Sequence, residues 1–195
     1  MVANDTLGAP IRQIPVALIW AQDINGVIGD GRGMLWHVPA DLRHFKESTQ
    51  NSPVLMGRAS YEALGSALPH RTNIVITRDR DFIPPDALVA HSIDQGLALA
   101  QEEGAKSGAA TIWVAGGGQI YRQMIASADE LVVSELDLDA SKKIGDRDAV
   151  MAPQIDPELW EIDDRRSDAQ WREPSNGVRW RILVYRRLVR KSTTS

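Results

Sequence analysis

The chain has 195 residues, 43% hydrophobic and 25% charged, the proportions of one soluble globular domain, which exclude collagen-like, disordered and membrane-spanning classes. Its 22 Lys and Arg against 26 Asp and Glu leave a formal charge of -4, too acidic for a protein whose main ligand is nucleic acid, although a local basic pocket stays open. With no cysteine, and with its four histidines scattered at His37, His44, His70 and His91, the chain offers neither a thiolate nucleophile nor metal-ligand spacing; catalysis must use carboxylate, hydroxyl, amine or a cofactor, and no metal is expected.

Residues 1–13 read as a loose extension with neither the cationic start nor the apolar centre of a signal sequence. The apolar run at 16–21 is far too short for a bilayer, so a cytoplasmic home is the default. Beyond it, short β-branched runs alternate with amphipathic stretches and no repeat or linker divides them, which predicts a single α/β domain with a mixed, mainly parallel central sheet and flanking helices. Strands are expected over 16–21, 53–57, 72–77, 87–91, 111–116 and 130–136, and helices over 39–49, 59–65, 93–103 and 118–126. Pro39 suits a first helical position and Ser92 a helix N-cap. Near the end, Asn176-Gly177 precedes the alternating run VRWRILVY, which predicts an antiparallel hairpin at one sheet edge, followed by a short basic tail.

Ligands of such a sheet gather at the carboxyl ends of its strands. Three junctions there carry anion-compatible residues: Gly57-Arg58-Ala59-Ser60, Thr77-Arg78 and Gly116-Gly117-Gly118-Gln119. Each is weak by itself, since Tyr121 occupies the place of the last glycine in a dinucleotide fingerprint and an arginine is more often a solvated surface charge. The stretch from Trp36 to Lys46 carries more. On a helix Asp41, Leu42 and Phe45 share one face, where a flat heteroaromatic could stack on the ring and donate two hydrogen bonds to the carboxylate. On the residues alone, an acid in a first turn above ordinary core is the simpler reading.

Taken together, IWA at 19–21, GVIGDGRGMLWHVPADLRHFK, VLMGRASYEALG, ALPHRTNIVITRD and VAGGGQIY closely resemble the dihydrofolate reductase family in order and spacing, over most of 15–136 and on through Gly145-Asp146 to the hairpin. The resemblance implies a family domain over 14–190, with 191–195 a tail, and an enzyme of one-carbon metabolism that moves a hydride from NADPH to C6 of dihydrofolate and a proton to N5. It implies catalytic parts for Asp41, Met34, Trp36, Tyr121 and Ser134, with Asp41 gripping the pteridine and Ser134 standing where the family usually has threonine. Apolar substrate walls fall on Ile19, Ala21, Ile28, Leu42, Phe45, Leu64, Leu68 and Ala115, and Arg71 matches the anchor of the glutamyl α-carboxylate. Cofactor positions fall on Ala21, Ile28, Gly57, Arg58, Ala59, Ser60, Thr77, Arg78, Ala115, Gly116, Gly117, Gly118, Gln119, Ile120 and Tyr121, with Arg58, Thr77 and Arg78 at the adenosine 2′-phosphate and Gly116-Gly117 cis. The segment 29–36 matches a mobile lid, with Met34 near the nicotinamide and Gly145-Asp146 in the distant loop that holds it closed.

Three positions depart from the pattern: Ala115, where a larger aliphatic residue is usual, Gln119, where some members use arginine, and Trp20, where many have a small residue. The resemblance further implies a monomer that antifolate inhibitors bind, with neither nucleic acid nor membrane as partner. Two rivals remain: a reductase of similar fold acting on a ribosylated pyrimidine, which has no obvious use for the W-x-x-P-x-D-L-x-x-F helix, and a non-catalytic dinucleotide-binding module, which would need none of Asp41, Phe45, Arg71 and Ser134.

Overall fold

The computed structural model describes residues 13–145 and 147–188. Runs dense in Val, Ile and Leu become strands because branched side chains pack well on a pleated surface covered on both faces. In chain order these are β1 (Val16–Gln22), β2 (Val27–Gly29), β3 (Pro53–Gly57), β4 (Thr72–Ile76), β5 (Leu88–Ala90), β6 (Ile112–Val114), β7 (Glu130–Leu136), β8 (Val150–Met151), β9 (Trp160–Ile162), β10 (Arg172–Ser175) and β11 (Val178–Arg187). The helices are α1 (Pro39–Thr49), α2 (Arg58–Leu64), α3 (Ile93–Ser107), α4 (Gly118–Met124) and α5 (Ser141–Ile144).

The main sheet has nine strands, in the order β10, β11, β7, β1, β6, β3, β4, β5, with β9 also paired to β11. The six strands from β7 to β5 run parallel, and β11 turns antiparallel against β7, so the expected mixed sheet with a hairpin at one end is present. Side chains alternate between two apolar layers. Ala17, Ile19, Val54, Met56 and Val132 enter one, together with Ala40 and Phe45 of α1. Leu18, Trp20, Leu55, Leu131 and Val133 enter the other, against Ala100 of α3 and Ile120, Tyr121 and Met124 of α4.

Local signals act as their chemistry requires. Pro39 occupies the first turn of α1, and the Ser92 hydroxyl accepts from the Gln95 amide at 3.1 Å to cap α3. Asn176 (φ 53°) and Gly177 (φ 77°) are both left-handed, the geometry of a primed two-residue hairpin turn.

Several boundaries differ from expectation. Helix α3 runs to Ser107 instead of 103, because Gly104 is a packing residue: a Cβ there would stand 2.6 Å from Ile14 Cδ1. The strand expected over 111–116 narrows to β6, and beyond it the Ala115 amide still donates to Leu55 O at 2.8 Å and Gly116 O accepts from the Gly57 amide at 2.7 Å. The short pair β2 and β8, strand β9 and helix α5 had no counterpart among the expected elements. The extension up to residue 12, Asp146 and the tail from 189 lie outside the described residues.

Candidate active site

A cleft of about 1300 Å³ opens at the carboxyl ends of the parallel strands. Its walls come from Ile19 to Ala21 at the end of β1, Gly57 after β3, Thr77 after β4, Ala115 to Gly117 after β6, Ser134 on β7, and one face of α1. Crossover connections leave the ends of parallel strands free for ligands, and here they place chemistry from five strands around one space.

Asp41 sits on the wall formed by α1, with Leu42 and Phe45 beside it. The start of this helix is fixed from far along the chain: the Ser175 hydroxyl accepts from the Ala40 amide at 3.1 Å, and Asn176 Nδ2 donates to His37 O at 2.9 Å. The C-terminal hairpin therefore satisfies backbone groups that the first turn cannot pair itself. Asp41 is 6% exposed, and no cation pairs with it among the described residues. Burial pushes its carboxyl above the ordinary carboxylate range, and the Ser134 hydroxyl works against that rise. Ser134 reaches this face because it alternates with Val132 and Leu136 on the α1 side of β7.

On the opposite wall the backbone comes close to the side chains. A Cβ added at Gly116 or Gly117 would lie 3.2 or 3.1 Å from Ser60 Oγ, and one at Gly57 would lie 3.3 Å from Ile120 Cγ1. Glycine keeps the backbone uncrowded where these strand ends meet Ser60 and Ile120. Gly118 and Gln119 begin α4, and Ala59 and Ser60 begin α2, all facing the cleft. Tyr121 donates its hydroxyl to Ile19 O at 2.6 Å, and full burial holds the phenol protonated far above its usual range. Arg58, Thr77 and Arg78 line the far end. The Arg58 guanidinium is engaged there, its Nε to Glu62 and its Nη1 to Asp79, each at 2.6 Å.

The structure brings together all the expected site residues except three. Trp36 is buried behind the cleft wall, and its indole N–H has no partner among the described residues. Leu68 packs against the α1-side layer with its backbone held by Asn73. Arg71 lies beyond the wall and donates to Thr49 Oγ1 at 2.9 Å, at the C-terminal end of α1. Met34 and Leu64, 50% and 47% exposed, stand at the mouth, with Ile28, Gly29, Gly31 and Gly33. This mouth segment is tied to α5 and the turn after it: Arg147 pairs with Asp30, and Lys143 Nζ donates to Leu35 O at 3.1 Å.

Trp20, His44, His91 and Arg122 also line the cleft without having been singled out for it. Trp20 stacks at a tilt on Tyr121, ring centroids 5.4 Å apart, and donates Nε1 to Gln22 Oε1 at 2.8 Å. His44, three residues after Asp41, was visible from helical spacing; burial pulls its imidazole below the ordinary value. His91 closes the strand expected over 87–91 and directly follows the observed β5, a position the strand-end rule could have flagged.

The family model described as dihydrofolate reductase matches residues 15–187. A dihydrofolate reductase of Mycobacterium tuberculosis is 34% identical over 175 residues, covering 88% of this chain and 98% of that protein. One from Neisseria meningitidis serogroup B is 36% identical over 175 residues, covering 89% and 99% respectively. Among solved structures, dihydrofolate reductase from Enterococcus faecalis complexed with NADP(H) and RAB-propyl superposes with a TM-score of 0.77 at 30% identity, covering 91% of this chain and 98% of that one.

Proposed function

This chain belongs to the dihydrofolate reductase family, and from that premise we propose how its cleft performs the family reaction, the reduction of dihydrofolate to tetrahydrofolate by NADPH. The observation that carries the reading is Asp41: a buried carboxylate on an apolar wall, with no cation paired to it among the described residues, facing a strand-end wall lined by glycines. A group that costs so much to bury is kept where a ligand supplies its partners. Two acceptor oxygens match the N3–H and 2-amino donors of a pteridine stacked on Phe45, between Ile19, Ala21, Ile28, Leu42 and Ala115.

The opposite wall fits the cofactor. Gly57 to Ser60 and Gly116 to Tyr121 offer backbone N–H groups to a pyrophosphate, and Arg58, Thr77 and Arg78 offer charge and hydroxyl to a 2′-phosphate. NADPH, when bound, supplies the hydride that reaches C6. The protein's part is to orient the pteridine, favour its protonated N5 and exclude water. Asp41 favours N5 protonation by the negative charge it presents to the ring. Ser134 orients the Asp41 carboxylate, and Tyr121, locked onto Ile19 O, keeps a neutral phenol beside the cleft. Arg71, which donates to Thr49 at the C-terminal end of α1 and lies outside the pteridine walls, would take the α-carboxylate of the glutamyl tail. The segment around Met34 closes the mouth. We further read the protein as a cytoplasmic monomer that antifolates bind at Asp41.

Single turnover with NADPH deuterated at its transferable position tests the assignment. Deuterium should appear at C6 of the pterin product; label elsewhere, or consumption of a ribosylated pyrimidine instead of dihydrofolate, would overturn it.

A further inference from the structure

Arg58 stands where the reading above expects the 2′-phosphate, yet its Nε–H and one N–H of Nη1 are already engaged by carboxylates. Nε donates to Glu62 and Nη1 to Asp79, each at 2.6 Å, and the Phe82 ring covers one face with its centroid 4.7 Å from the guanidinium carbon. Asp79 is fixed in this position. Its Oδ1 accepts the Asp81 amide at 2.9 Å, and its own amide donates to Thr77 Oγ1 at 3.1 Å. One turn thus engages two of the three groups assigned to the 2′-phosphate. Hydrogen bonds from Asp81 and Arg58 hold the Asp79 carboxyl below its ordinary range, so it stays anionic throughout the neutral region. Two carboxylates beside Arg58 offset its charge and occupy donors that a dianion would need there. Arg78, by contrast, carries no ion pair among the described residues.

We propose that Asp79, assisted by Glu62, is a specificity-determining residue that competes with the cofactor's 2′-phosphate for Arg58 and so narrows the preference for NADPH over NADH. The proposal rests on the 2′-phosphate subsite read above. Both pairs are half-exposed, with side-chain exposures of 40% for Arg58, 51% for Glu62 and 44% for Asp79, so the competition is a matter of several-fold. Solvated pairs of this kind shift an equilibrium by about two- to fivefold each. The phosphate can therefore displace Asp79 at a cost in affinity, and Arg78 provides the charge that no carboxylate opposes.

Calorimetric titration with adenosine 2′,5′-bisphosphate and with 5′-AMP reads the subsite without turnover. Asp79→Asn keeps the Oδ1 acceptor for Asp81 and should tighten the bisphosphate about two- to tenfold while leaving 5′-AMP unchanged. Glu62→Gln should act in the same direction, the gain should fade with added salt, and it should vanish in Asp79→Asn/Arg58→Ala. Unchanged or weaker bisphosphate binding in both single variants, or a gain that persists without Arg58, would overturn the proposal. Wild-type affinity for the bisphosphate in Arg58→Ala and Arg78→Ala alike would instead bring down the subsite reading, and the proposal with it.

Discussion

Replacing Asp41 with asparagine should make the protein more stable and nearly inactive at once. Asp41 is 6% exposed, its carboxyl is raised by burial, and only the Ser134 hydroxyl opposes the rise. Because the folded value lies above the unfolded one near 3.8, the folded protein binds the extra proton between them, and stability falls as pH climbs through that window. Above it the whole cost of a buried charge is present; below about 3.8 both states are protonated and the cost is gone. Asparagine keeps the shape without the charge, so at pH 7 the variant should gain about 1.4 kcal/mol for each factor of ten by which burial weakens the acid. In a domain of this size each kcal/mol is worth about 2–4 °C in Tm. Thermal melts from pH 3.5 to 8 should show the advantage at neutral pH and its disappearance in acid. Turnover should drop by about 10²–10⁴ at pH 7, with NADPH binding retained and partial recovery at low pH. An asparagine variant that is less stable at pH 7, or that turns over normally there, would refute the reasoning.

Arg71→Ala should raise KM for dihydrofolate far more than it lowers kcat, because its contact lies away from the reacting carbon; steady-state kinetics should show a dihydropterin without the glutamyl tail to be indifferent to the change. Gly29→Ala should slow hydride transfer with little loss of Tm, since a Cβ there would meet Gly33 O at 2.5 Å and force the mouth segment apart without touching the core. Arg147→Ala, which frees Asp30, should do the same in a salt-sensitive way, and single-turnover stopped flow on both variants would show it.

Much of this was legible because the signals are local. Pro39, Ser92 and Asn176-Gly177 each satisfy a geometric need within a few residues, and the helix carrying Asp41, Leu42 and Phe45 shows its face through spacing alone. Strands of two or three residues, such as β2, β8 and β9, are too short for a period to register. Gly104 reads as a stop until Ile14 is seen against it. In the site, strand ends and the acid on α1 were visible. The hold of Ser175 and Asn176 on the start of α1, and the grip of Asp79 on Arg58, join residues distant in sequence and emerge only with the fold. The contact of Trp20 with Tyr121 is of the same kind.

One cleft, with Asp41 on one wall and the glycine strand ends on the other, should carry the whole reduction of dihydrofolate. Following NADPH absorbance as dihydrofolate is added to the purified protein, with tetrahydrofolate quantified in parallel, tests it most directly. One tetrahydrofolate should form per NADPH consumed, with near silence from Asp41→Asn under the same conditions. No fall in absorbance with the folded wild-type protein, or an equal rate from the asparagine variant, would contradict it.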